Sequence, residues 1–239
     1  MDTWSVVDTT IVPLQNFDKK TFFGSGTLTK LKERITRDDN ITAVFLNVGR
    51  LYNVQTNELQ LHFKVPAFDR YKIVMNILKK HATSPYAKLQ VALAEVPYLR
   101  FRLTTDESEF ASSKNFDVRK VLLREREQKL KDAIGKLRNQ RQMLRNNRTR
   151  SNFPVVAVVG YTNSGKTSLI KALTGDKRLQ PKDRLFATLD VTLHGGILPS
   201  SMKVLYVDTV GFISDIPSEL IECFIATLED AVHAVIHYY

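Results

Sequence analysis

A single cysteine, Cys223, stands in a chain of 239 residues. No internal disulfide is available, so the fold must rest on burial and hydrogen bonding. Cys223 lies among Ile221, Phe224 and Ile225, the setting of a small buried hydrophobe. No apolar run approaches the ~20 residues that cross a bilayer, and no membrane partner is expected. The opening residues, MDTWSVVDTT, have neither a signal-peptide core nor a basic, acid-poor transit character. The five histidines lack zinc-type spacing. His233 and His237 are four apart in a strand-like run, where no metal site is expected.

What is present is an ordinary globular composition, 43% hydrophobic and 25% charged, with an excess of positive charge. The net charge is +10, which favours polyanionic partners. The excess is local. Residues 1–116 carry 16 Lys and Arg against 12 Asp and Glu, and residues 117–150 carry 12 against 4. Residues 151–239 carry 7 against 9.

Three regions follow: 1–83, 84–150 and 151–239. The first reads as a small α/β subdomain. TTIVPLQ (9–15) and ITAVFLN (41–47) are β-rich runs of strand length. GTLTKLKERI (26–35) has helical spacing through Leu28, Leu31 and Ile35, and 71–82 presents Ile73, Val74, Ile77 and Leu78 on one helical face. Alternating strands and helices predict a small parallel sheet. Gly24 and Gly26 read as a turn before the first helix rather than a phosphate cradle.

The second region reads as a basic helical hairpin. Ser84-Pro85 is an N-cap followed by proline at the first helical position, and Pro97 should kink or stop the helix that follows. A polar loop at 104–117 leads into a long helix. Leu123, Leu130, Leu137 and Leu144 repeat every seven residues, but Glu127 and Arg141 occupy other seam positions. Packing within the chain against the first helix is therefore favoured over a dimer, and the protein is expected to be monomeric. Tyr98 and Phe101 are expected to pack on the long helix rather than stack on RNA bases. Residues 148–154 read as a linker.

In the third region, Gly160-Tyr161-Thr162-Asn163-Ser164-Gly165-Lys166-Thr167 matches G-x-x-x-x-G-K-[ST] at every fixed position. A β-branched strand, 155–159, precedes it, and a helix containing Ser168 follows. Glycines let backbone N–H groups turn inward around phosphates, Lys166 supplies a point charge, and the Thr167 hydroxyl is a hard oxygen ligand for Mg²⁺. Downstream, a strand at 203–207 runs into Asp208-Thr209-Val210-Gly211, a D-x-x-G. Asp208 would hold Mg²⁺ through water, and the Gly211 N–H would reach a γ-phosphate. Thr188 and Thr192 are both candidates for the threonine that closes on the metal, and Thr188 is favoured. Phe212 stands where many small GTPases have a water-orienting glutamine, so unaided hydrolysis should be slow.

These motifs resemble the HflX family of ribosome-associated GTPases. The likeness is carried by Gly160 to Thr167, by FATLD (186–190) and DTVGFI (208–213), and by FGSG (23–26), FDR (68–70) and AKLQVALAEVPYLRFRL (87–103). It implies an α/β fold: an N-terminal α/β subdomain, a long helical hairpin and a Ras-like P-loop domain. It also implies GTP with Mg²⁺, Lys166 and Thr188 in the catalytic site, and the large ribosomal subunit and its RNA as partners. The helical segment is most similar to animal mitochondrial members, which makes mitochondria the expected location and the cytoplasm the alternative.

Two differences from the family pattern stand out. The stretch 104–120 contains no glycine where many bacterial members are glycine-rich, and neither N-K-x-D nor an S-A-K-type loop occurs. Strands are predicted at 155–159, 191–197, 203–207 and 233–238, four of six, with Val235 and Ile236 on what should be an inner strand. A truncated domain is therefore expected, with an open sheet edge, the guanine pocket beyond Tyr239 and a leader missing before Met1. The rival readings are an RNA-binding module with an inactive nucleotide domain, and a P-loop ATPase.

Overall fold

The computed structural model describes residues 4–13, 20–104, 114–149, 153–213 and 236–238. Cys223, His233, Val235, the loop at 105–113 and the linker at 150–152 lie outside the described residues. The chain forms two compact units, one of residues 1–73 with 100–117, the other of 74–99 with 118–239.

In the first unit, helix α1 (Ser25–Arg37) begins after Gly24, and Gly26 lies within its first turn. Strands β1 (Val44–Phe45) and β2 (Ala67–Phe68) pair in parallel, the small parallel sheet that the alternation predicted. Between them runs α2 (Asn53–Phe63), which the periodicity did not reveal. Its inward positions are Gln55, Leu59 and Phe63, so one of the three is polar. Gln55 turns that polarity to use, accepting the Tyr52 N–H at 3.0 Å. Phe22, Leu28, Leu46, Leu51, Leu59, Phe63 and Ala67 close the core. The run at 9–13 forms no strand. Ile11 is 94% exposed, and Pro13 has no N–H to offer a neighbouring strand.

Asp69 joins three pieces of this unit. Its carboxylate accepts the Leu51 N–H at 2.9 Å and the Lys72 N–H at 2.7 Å, the second as an N-cap of α3 (Arg70–His81). Helix α4 (Pro85–Thr104) opens as its sequence requires, with Ser84 Oγ accepting the Ala87 N–H at 3.0 Å. Pro97 does not stop it. The missing donor is outweighed by burial, since Val96 and Tyr98 on either side are 1% and 4% exposed. Phe101 stacks on Tyr52 of the α2 N-terminus, at 5.3 Å between centroids.

The long helix, α5 (Lys114–Thr149), is continuous. Leu123, Leu130, Ile134 and Leu137 are half-buried along one stripe. An ion pair of Arg126 with Glu95, 3.9 Å apart, links it to α4 within the second unit. The remaining sheet of that unit has the order β4–β5–β3–β6: β3 (Val155–Val158), β4 (Thr192–Ile197), β5 (Lys203–Asp208) and β6 (Ile236–Tyr238). β3 is parallel to β5 and β6, whereas β4 is antiparallel to β5. Strand alternation sends Ala157 and Val207 to one face, and Val158, Val204 and Tyr206 to the other, where they pack on Ile170 of α6 (Lys166–Thr174). The parallel register sets Val158 opposite Asp208. The phosphate loop after β3 and the acidic end of β5 therefore share one edge of the sheet, where ligands bind in open α/β folds.

Asp69→Ala would leave the Leu51 N–H without its acceptor and α3 without its cap. Unfolding in urea should show a loss of about 1–3 kcal/mol, with Asp69→Asn losing less.

Candidate functional site

The loop from Gly160 to Gly165 is bent into its shape by local backbone. Asn163 and Gly165 both have left-handed backbone, φ 60° and 86°. Glycine adopts that conformation freely, and asparagine tolerates it better than most residues. Gly165 caps α6, whose positive end faces the loop. Lys166 Nζ turns back to donate to the carbonyls of Tyr161, at 2.6 Å, and Gly160, at 3.3 Å. Burial holds the Lys166 ammonium below the usual lysine range, and Asp208 offsets part of that effect. An anion at this place would restore what burial removes.

The second wall is the D-x-x-G segment. Phe212 donates its N–H to the Gly160 carbonyl at 3.1 Å, and its own carbonyl accepts the Thr162 N–H. Residues 161 and 212 thus form a one-pair extension of the parallel sheet. Gly211 lies inside this clasp. A Cβ there would sit 2.6 Å from Thr162 Cα and 2.8 Å from Lys166 Nζ. Below it, Thr209 donates its hydroxyl to the Val158 carbonyl at 2.7 Å, pinning the end of β5 to β3.

Asp208 is the meeting point. It is 1% exposed. Its Oδ2 accepts the Thr167 hydroxyl at 2.7 Å and the Thr188 hydroxyl at 3.2 Å, and those two hydroxyls lie 3.4 Å apart. Its Oδ1 is buried with no hydrogen-bond partner among the described residues. A buried carboxylate oxygen without a donor is costly, and a hydrated cation would satisfy it. Two hydroxyls and a carboxylate are hard oxygen donors, the set that suits Mg²⁺. The residues therefore fit that ion. Thr192, the other threonine considered, lies in β4 with its hydroxyl 3.0 Å from His194 Nε2.

A cavity of about 290 Å³ opens above this cluster, lined by residues 162–168, 181–184 and 186–188, with Thr209 and Gly211. Asn163, Ser164, Gly165 and Ser168 all line it and are all exposed. Sequence reasoning did not anticipate Asp183, whose carboxylate accepts the Asn163 amide at 2.7 Å across the mouth. Nor did it anticipate His81, 3.0 Å from the Phe186 carbonyl and 105 positions away in sequence. No local pattern marks either contact.

A phosphate loop and an aspartate-ended strand on neighbouring parallel strands define a P-loop nucleotide-binding domain of the GTPase type. Comparison with known proteins gives the family. Residues 155–238 match the 50S ribosome-binding GTPase family, and residues 2–78 match the GTP-binding GTPase N-terminal family. Relatives provisionally named GTP-binding protein 6 are 48% identical in both Xenopus laevis and Homo sapiens, over 98% of this chain and 47% and 48% of theirs. The GTPase HflX of Methanocaldococcus jannaschii is 35% identical over 93% of this chain and 56% of its own. A solved GTP-binding protein from Sulfolobus solfataricus in complex with GDP is similar with a TM-score of 0.45 and 24% identity, covering 91% of this chain and 57% of that one. The chain belongs to the HflX family, and it spans about half the length of the curated relatives it matches.

Gly211→Ala should force the loop at Thr162 aside, at about 1–3 kcal/mol of overpacking in a urea titration. Gly195→Ala, with open space for its Cβ, should stay within about 0.5 kcal/mol of the parent.

Proposed function

We propose that this chain supplies the phosphate- and magnesium-binding part of a GTP-hydrolysing site, in a protein that acts on the large ribosomal subunit. One observation carries the first half. Asp208 gathers the hydroxyls of Thr167 and Thr188 on one oxygen and leaves the other buried and unpartnered.

In this reading the backbone of 160–165 encloses the phosphates, and Lys166 neutralises the β- and γ-oxygens. Thr167 and Asp208 would hold the metal, with Thr188 beside them at 3.2 Å from Asp208 Oδ2. Bound Mg²⁺ supplies charge neutralisation at the phosphoryl oxygens. Ser168 lies near the phosphate end, and Gly211 senses the γ-phosphate through its N–H. Because the Phe212 amide and carbonyl are both committed to the loop, and its side chain carries no polar group, nothing at that position can orient water. Slow hydrolysis in the absence of a partner follows. The choice of guanine over adenine rests on family membership.

The ribosomal half rests on charge. Arg119, Arg124, Lys129, Lys136 and Arg138 are exposed along α5. Such cations neutralise phosphates without reading sequence, which suits structured RNA. Among the described residues no helix is long and apolar enough to cross a membrane. A mitochondrial setting, as in the animal members the helical segment resembles, belongs to the same proposal.

Lys166→Ala should abolish binding of a fluorescent guanine nucleotide, as read by anisotropy; retained affinity would remove the phosphate assignment. Binding of α5 to ribosomal RNA should weaken steeply as salt rises, and reversing charge at Arg124, Lys129 and Lys136 should reduce the salt slope by roughly one for each phosphate no longer neutralised. RNA binding unaffected by GTP analogues would favour the rival, a binding module whose nucleotide domain is idle.

A further inference from the structure

The segment that carries Thr188 has no regular structure of its own. Residues 181–191 form neither helix nor strand, yet Thr188 is placed within hydrogen-bonding distance of Asp208. Two residues earlier, Phe186 holds a left-handed backbone, φ 51°, with a side chain only 2% exposed. A bulky residue keeps such a conformation only where its surroundings impose it. Burial of the ring is one restraint. The other is a hydrogen bond from His81, whose Nδ1 lies 3.0 Å from the Phe186 carbonyl.

His81 is held at the end of a packed helix. It is the last residue of α3 and stands between the buried Leu78 and Ala82. The neighbouring Lys79 pairs with Glu95 of α4. All of these residues belong to the same compact unit as Phe186 and Thr188. A carbonyl oxygen can only accept, so Nδ1 carries the hydrogen. Burial, then the positive charge of Arg184, pull the imidazole pKa down and favour the neutral ring, against the Phe186 and Leu185 carbonyls that favour the cation. His81 also falls between the two family-matched stretches, 2–78 and 155–238.

We propose that His81 is a positioning residue for the nucleotide site: its ring N–H fixes the Phe186 carbonyl, and through it the place of Thr188 beside Asp208 and Thr167. The consequence is selective. Thr188 serves the triphosphate with its metal, whereas the phosphate loop and Lys166 serve diphosphate and triphosphate alike. Loss of the post should therefore weaken the triphosphate-bound state and spare the diphosphate-bound one. This consequence rests on the nucleotide-binding reading above; the post itself does not.

The test uses the whole chain with His81→Phe, which keeps a ring without a donor, and His81→Asn, whose amide can donate from a similar reach. His81→Ala serves as the donor-free variant if the phenylalanine disturbs folding. In nucleotide-free protein, hydrogen exchange of a peptide spanning 185–191 should accelerate about 2- to 10-fold in His81→Phe and return towards the parent rate in His81→Asn. With Mg²⁺ present, the ratio of affinities for a non-hydrolysable GTP analogue and for GDP should fall by a similar factor in His81→Phe, with GDP affinity unchanged and the ratio recovered in His81→Asn. Unchanged exchange in the donor-free variants would overturn the post. Equal weakening of both nucleotides would overturn the positioning role. If the parent chain binds neither nucleotide, the function proposed above fails, and the exchange result alone decides whether the post exists.

Discussion

Asp208 lies at the end of an inner strand, 1% exposed, and most of the site is organised around its carboxylate. One oxygen draws in Thr167 from the start of α6 and Thr188 from an irregular segment 20 positions upstream of the aspartate. The other oxygen has no donor among the described residues. A buried anion with half its capacity unmet is a poor structural device on its own, because such a group costs free energy until something compensates it. It makes sense as half of a cation site. The strand register is what brings it there, since Val158 and Asp208 are direct partners and the phosphate loop starts two residues beyond Val158.

A second constraint is steric. The clasp between Phe212 and the loop leaves no room for a Cβ at Gly211, so the D-x-x-G backbone lies directly against Thr162 and the Lys166 ammonium. The same contact uses both backbone groups of Phe212 for structure. The Phe212 side chain adds no polar group at this position.

The parts of the molecule legible in sequence are those in which neighbours along the chain are also neighbours in space. The phosphate loop is one continuous stretch, and its glycines, lysine and threonine announce their chemistry through spacing alone. The α4 start could be read from Ser84-Pro85, and α5 from its length and charge. Of the two candidate threonines, Thr188 lies beside Asp208, whereas Thr192 meets His194. Other features were hidden because tertiary context decides them. Helix α2 buries Gln55 with Leu59 and Phe63, so its apolar pattern is interrupted. The run at 9–13 is rich in β-branched residues, but β propensity is mostly a statement about neighbours, and Ile11 is 94% exposed. Asp183 and His81 reach the site from a loop and from a distant helix, contacts that no period or motif encodes.

The role proposed for Asp208 is to complete a magnesium site for a bound nucleotide. Its most direct test is a Mg²⁺ titration of fluorescent GTP-analogue binding in the parent chain and in Asp208→Asn, which keeps size and hydrogen bonding but removes the charge. Mg²⁺ should tighten binding to the parent, and the apparent Mg²⁺ affinity should fall at least ~10-fold in the variant. Identical Mg²⁺ dependence in the two proteins would contradict it.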